Sequence, residues 1–124
     1  MNVLLVDDEE ELVSTLAERL SFRGIDVDFA TTAESAIRLA EIKSYDIAVL
    51  DVKMPKKGGF EIKKILGEKQ PAMKFLFMTG HGSEKDYQIG TAETGEEFYL
   101  VKPVKIEVLI EKMNGALEKQ GDIS

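Results

Sequence analysis

Three carboxylates, a hydroxyl and an amine stand at comparable places along this chain. Asp7 and Asp8 follow the apolar run Val3–Val6, and Asp51 follows Ile47–Leu50. Thr79 follows a run ending at Met78, and Lys102 one ending at Val101. One acid after an apolar run means little, but this set forms a constellation if the run ends converge. Two like charges about 4 Å apart cost roughly 4 kcal/mol at an effective dielectric near 20. Three converging carboxylates therefore take up protons or recruit a cation. Lys102 offsets one of the three charges, and a divalent ion neutralises the remainder. The available ligands are oxygens, with no cysteine and a single histidine in the chain, which makes Mg²⁺ the natural ion. A carboxylate beside Mg²⁺, with an amine and a hydroxyl aimed at the same point, suits phosphoryl transfer through an aspartyl phosphate.

The elements that must position these groups alternate between two periodicities. Asn2–Val6 reads as a buried strand. Glu9–Phe22 carries Leu12, Val13, Leu16, Ala17 and Leu20 at helical spacing, with Gly24 where a helix would end. Ile25–Phe29 alternates with Asp26 and Asp28, the pattern of a half-buried edge strand. Thr31 with Glu34 forms an expected capping box before a helix that puts Ala33, Ala36, Ile37 and Ala40 on one face. Asp46–Leu50 is apolar on both sides of its pleat, as a central parallel strand must be.

After a loop containing Pro55, Gly58 and Gly59, a third helix is expected at Phe60–Glu68, with Ile62, Ile65 and Leu66 inward. A fourth strand is expected at Lys74–Met78, a more polar fourth helix at about Glu84–Thr94, and a fifth strand at Glu97–Val101. The last helix, Val104–Lys119, turns Ile106, Leu109, Met113 and Leu117 inward. Five strands separated by helices predict an α/β fold: a doubly wound parallel sheet between two helical layers, joined by right-handed crossovers. In such sheets ligands bind at the carboxyl ends of the strands, near the point where strand order reverses.

Composition narrows the class. A chain of 124 residues has room for one core, and 44% hydrophobic with 31% charged residues is the balance of a globular domain. A formal net charge of -7 with no offsetting basic stripe argues against direct nucleic-acid or anionic-membrane binding. The longest apolar runs are too short to span a bilayer, and Met1 leads at once into a strand rather than a leader peptide. The expectation is a cytoplasmic domain over residues 1–120 with a short tail at 121–124, and Met1 as a true N-terminus.

Four stretches then carry a family resemblance: Val-Leu-Leu-Val-Asp-Asp at 3–8, Val-Leu-Asp-Val-Lys-Met-Pro at 49–55, Met-Thr-Gly-His-Gly at 78–82 and Phe-Tyr-Leu-Val-Lys-Pro at 98–103. In this order and spacing the chain resembles the receiver domains of two-component response regulators over its whole length. The resemblance implies a flavodoxin-like sheet of order 2-1-3-4-5. It implies that Asp51 is the phosphoacceptor, taking a phosphoryl group from a phosphohistidine on a sensor histidine kinase or phosphotransfer protein. Asp8, Asp51 and the backbone carbonyl of Lys53 would hold Mg²⁺, with Asp7 acting through a water. Lys102 would bind the phosphoryl oxygens, and the backbone N–H groups of Lys53 and Gly80 would complete the cradle. Thr79 would swing onto the phosphoryl group with Tyr99 rotating inward behind it. The Lys102–Pro103 bond would be cis. The implied protein is a switch that catalyses its own aspartyl phosphorylation and dephosphorylation rather than an enzyme acting on a substrate. Its output face, formed by the fourth and fifth strands and helices, would bind a protein target or a second copy. A stand-alone receiver and the front part of a longer regulator, transcriptional among others, both fit. Lys53 and His81 occupy variable positions that tune phosphoryl lifetime in the family, and Glu96 stands where a small alanine is usual.

Blander readings exist for each residue alone. Glu9 to Glu11 read as acids favoured by a helix dipole, Asp51 as a strand-end cap, Lys102 as a loop lysine, Tyr99 as a core aromatic and His81 as incidental. An aspartyl-phosphate phosphatase would carry a second acid two residues after the nucleophile, where Lys53 stands. A flavin binder would need a hydroxyl- and glycine-rich loop where Asp7-Asp8-Glu9-Glu10 would repel phosphate. A degenerate docking module would lack some of the site residues.

Overall fold

The structure is a computed structural model that describes residues 1–80 and 99–121. Five parallel strands, β1 (Asn2–Val6), β2 (Asp26–Ala30), β3 (Ile47–Asp51), β4 (Lys74–Thr79) and β5 (Tyr99–Val101), form one sheet of order β2-β1-β3-β4-β5. The helices described are α1 (Glu10–Ser21), α2 (Ala33–Ile42), α3 (Gly59–Lys69) and α4 (Ile106–Gly121). The expected helix at 84–94, together with His81 and Glu96, lies outside the described residues. Among the described residues no helix is long and apolar enough to cross a membrane.

Strand alternation explains the two cores. Side chains along a strand point to opposite faces by turns. Val3, Leu5, Ile47, Val49, Leu76, Met78 and Leu100 join α1 and α4 on one face. Leu4, Val6, Ala48, Leu50, Phe77 and Tyr99 join α2 and α3 on the other. Because both faces of β1 and β3 are covered, Val3–Val6 and Ile47–Leu50 are fully buried, which accounts for their unbroken apolar character.

Several local expectations shift. The α2 cap is Thr32, not Thr31: its hydroxyl accepts from the Ser35 N–H at 3.1 Å, so the cap sits one residue later than the Thr31–Glu34 pairing. Phe29 shares a strand face with Val27 but remains 38% exposed, since β2 is the sheet edge. On α4, Ala116 is buried where Leu117 was expected, and Leu117 is only partly covered. Gly24 ends the α1 turn at φ +78°, a conformation that favours glycine, with its N–H donating to Ser21.

The end of α2 and the end of α3 are joined by one side chain. The Gln70 amide donates to the carbonyls of Ala40 and Lys43 and accepts from the Tyr45 N–H, at 2.8, 2.9 and 2.9 Å. Beside it the buried Tyr45 hydroxyl donates to Asp28 at 2.7 Å, and Lys43 pairs with the same oxygen at 3.1 Å.

Candidate functional site

The sheet register brings the carboxyl ends of four strands to one level. Val6 pairs with Leu50, Asp51 with Met78, and Thr79 with Val101. Backbone pairing continues into the loops: the Asp7 N–H donates to Ala30, Val52 to Met78 and Lys102 to Thr79. Asp7, Asp51, Thr79 and Lys102 are thus held by paired backbone at strand ends rather than on free loops.

Asp7 is fully buried, Asp51 is 4% exposed, and Asp8 faces solvent. Each offers a carboxylate oxygen within 4.8 Å of the others, the spacing of a shared cation site. Lys102, with its side chain only 10% exposed, closes the cluster: its Nζ lies 2.7 Å from Asp7, 3.0 Å from Glu9 and 3.6 Å from Asp51. The Asp7 contact is an ion pair without hydrogen-bonding alignment, so the buried Asp7 Oδ2 lacks a hydrogen bond. Its other oxygen accepts from the Glu9 N–H at 2.9 Å. The Lys53 N–H donates to Asp51.

Electrostatics follow from this crowding. Burial, and next the charge of Asp7, push the Asp51 carboxyl up to about 7, against the pull of Lys102 and the Lys53 N–H; Asp8 adds a smaller upward push. Burial also raises Asp7, opposed by Lys102 and the Glu9 N–H. For Lys102, burial alone would depress the ammonium, but Asp7, Glu9 and Asp51 together outweigh it and hold the group above the ordinary lysine range. The cluster therefore holds more negative charge than Lys102 compensates. An all-oxygen set whose negative charge exceeds what Lys102 compensates fits a hard divalent cation.

The remaining candidates surround this centre. Thr79 is 5% exposed, and its hydroxyl donates to the Gly80 carbonyl at 3.2 Å. Tyr99 is buried in the core on the α2–α3 face. Gly80 is exposed. The Lys102–Pro103 bond is cis.

Two features escaped the sequence reading. Glu9 is the residue before α1 and makes no side-chain cap; its carboxylate goes to Lys102, a partner that its reading as a dipole-favoured acid did not include. Gly58 and Gly59 are also more than loop residues. A Cβ on Gly59 would lie 2.6 Å from the Asp51 carbonyl oxygen, and one on Gly58 2.5 Å from that of Val52. Only glycine lets α3 begin this close to the strand end that carries Asp51. The Asp-x-x-x-x-x-x-Gly-Gly spacing was visible, but nothing local in it marks the close approach.

Comparison with known proteins agrees with this geometry. Residues 3–114 match the family described as response regulator receiver domain. The transcriptional regulatory protein CpxR of Escherichia coli is 37% identical over 117 residues, 94% of this chain and 49% of that protein. The alkaline phosphatase synthesis transcriptional regulatory protein PhoP of Bacillus subtilis is 38% identical over 101 residues, 82% of this chain and 42% of that protein. The chain thus spans about half the length of these relatives. A receiver domain protein from Methanospirillum hungatei superposes with a TM-score of 0.85 at 28% identity, covering 99% of this chain and 98% of that one. A Burkholderia pseudomallei response regulator, solved with a phosphorylated aspartic acid and a calcium ion, superposes at 0.79 with 27% identity over 99% of this chain and 72% of that one.

Proposed function

The chain belongs to the response regulator receiver domain family, and from that premise we propose that Asp51 is its phosphoacceptor. The observation that carries this is the placement of Asp51: buried at the end of β3, within reach of two further carboxylates and 3.6 Å from the Lys102 ammonium. An Asp51 oxygen attacks phosphorus on a phosphohistidine of a kinase or phosphotransfer protein. The new O–P bond forms as the N–P bond breaks, and the histidine leaves with its electron pair.

Asp8, Asp51 and the Lys53 carbonyl would hold Mg²⁺, with Asp7 acting through a water. The ion, when bound, neutralises charge on the phosphoryl oxygens. Lys102 supplies the fixed cation of the protein itself. Thr79 and the Lys53 and Gly80 N–H groups supply donors.

The acyl phosphate adds a charge of about −1.5 to −2 and three acceptor oxygens. Those oxygens give the Thr79 hydroxyl a better partner than the Gly80 carbonyl. Tyr99, already buried on the same face of the sheet, repacks against it, and the face formed by β4, β5 and α4 changes its docking properties. A reversal of population from 1:99 to 99:1 requires roughly 5.5 kcal/mol of differential contact, a demand that contacts through Thr79 and Lys102 help meet. Given the relatives named as transcriptional regulators, the natural output is a protein contact, either a target or a second copy.

The test is incubation with acetyl phosphate, with and without Mg²⁺, read by intact mass, alongside beryllofluoride read by amide spectra. The expected result is a Mg²⁺-dependent phosphoryl adduct absent from Asp51→Asn, with shifts reaching Thr79 and Tyr99. A folded protein with neither adduct nor shift would overturn the assignment. A Lys102→Ala variant that still switched fully would count against the coupling.

A further inference from the structure

Lys102 is shared unequally among three carboxylates. Its Nζ is 2.7 Å from Asp7 and 3.0 Å from Glu9, with the Glu9 contact aligned as a hydrogen bond, and 3.6 Å from Asp51. Glu9 stands at a position where short polar side chains cap a helix. Its own carboxylate makes no cap bond. It reaches instead across 93 residues of sequence to an amine that is otherwise buried among site residues. Its backbone N–H meanwhile anchors Asp7, so the residue touches the site through both main chain and side chain. The neighbouring acids Glu10 and Glu11 carry the same charge in the first turn of α1.

We infer that Glu9 is a positioning residue for Lys102: it holds the ammonium to the Asp7 side of the site, 3.6 Å short of Asp51, and must yield it when a phosphoryl group arrives. The inference rests on the phosphoacceptor reading of Asp51 and adds a competitor for the amine that reading requires. Glu9 is 62% exposed at its side chain, so the contact is a solvent-facing one of modest strength, worth a factor of about two to five in an equilibrium.

The test separates position from charge. Wild type, Glu9→Gln, Glu9→Asp and Glu10→Gln are titrated with beryllofluoride at saturating Mg²⁺, and the Lys102 Cε–Hε signals are recorded before any addition. No kinase is present, so a docking role for Glu9 does not enter. Glu10→Gln removes the same charge without the contact, and Glu9→Asp keeps the charge but withdraws its reach by one methylene. The expected result is a displaced Lys102 signal and beryllofluoride binding tighter by about two- to fivefold in both Glu9 variants, with Glu10→Gln like wild type.

Equal effects of Glu9→Gln and Glu10→Gln, or an unmoved Lys102 signal in Glu9→Gln, would overturn the positioning role. Beryllofluoride binding to wild type with no difference among variants would overturn it while leaving the phosphoacceptor reading intact. Failure of wild type to bind beryllofluoride would overturn both.

Discussion

An ionised Asp51 is expensive for the native state. Its carboxyl is pushed up to about 7 by burial and by Asp7 beside it, whereas in the unfolded chain it titrates near the ordinary value of 3.8. Between those values the native protein holds a proton that the unfolded chain has released. The metal-free fold is therefore destabilised by this group as pH rises, fully so above about 7 and not at all below about 4. Asp51→Asn should stabilise the metal-free protein at pH 8 by about 2–4 kcal/mol. The gain should shrink steadily on acidification to pH 5, as urea unfolding in the presence of chelator would show. A gain independent of pH would mean that packing, not ionisation, separates the two side chains.

Single residues were legible in proportion to how local their signal is. Asp7, Asp8, Asp51, Thr79 and Lys102 each end an apolar run, and that alone places them at strand ends. Glu9 was read only as a helix-start acid, because its partner Lys102 is distant in sequence and nothing in Asp-Asp-Glu announces it.

Among the elements, the start of α3 is the tightest fit. Gly59→Ala places a methyl group 2.6 Å from the Asp51 carbonyl oxygen, where backbone rather than a yielding side chain must move. A loss of about 1–3 kcal/mol in unfolding free energy is expected, and the displaced strand end should weaken Mg²⁺ binding as well. Calorimetry with a Mg²⁺ titration reads both. At the opposite end of the sheet, Gln70→Ala strips partners from the Ala40 and Lys43 carbonyls and the Tyr45 N–H. It should cost about 1–3 kcal/mol without altering Mg²⁺ affinity.

Among the described residues, element boundaries were readable within a residue or two because hydrophobic period and turn residues agree there. The α2 cap was misplaced by one because Thr31 and Thr32 each precede a polar residue three positions on, Glu34 and Ser35, and sequence does not rank them. Gln70 was invisible for a different reason: its three partners belong to α2 and the loop after it, some 25 to 30 residues earlier.

At the scale of the whole molecule, the uncompensated charge of the site should couple stability to a bound cation. A cation that binds the native cluster and not the unfolded chain stabilises by about 2.7 kcal/mol at a hundredfold excess over Kd. Mg²⁺ should therefore raise Tm progressively with concentration, chelator should reverse the rise, and Asp51→Asn should blunt it. A Tm indifferent to Mg²⁺ would speak against a cation site at Asp7, Asp8 and Asp51. The architecture itself was legible because β1 and β3 are apolar on both faces, which only a doubly covered sheet explains.

The outermost strand has a consequence for how copies of this domain share a solution. Among the described residues β2 pairs only with β1, so its other edge presents unpaired backbone groups, with Phe29 partly exposed beside it. Such an edge invites a second sheet to add on. Here it carries Asp26, which is exposed, and Asp28, whose carboxyl is held below its ordinary value by the Tyr45 hydroxyl and by Lys43 despite partial burial. A strand laid antiparallel from another copy would bring like charges together. The Tyr45–Asp28 contact thus keeps a guard charged into mild acid, and replacing both aspartates with valine should convert a well-behaved solute into one that forms edge-to-edge aggregates, visible by light scattering.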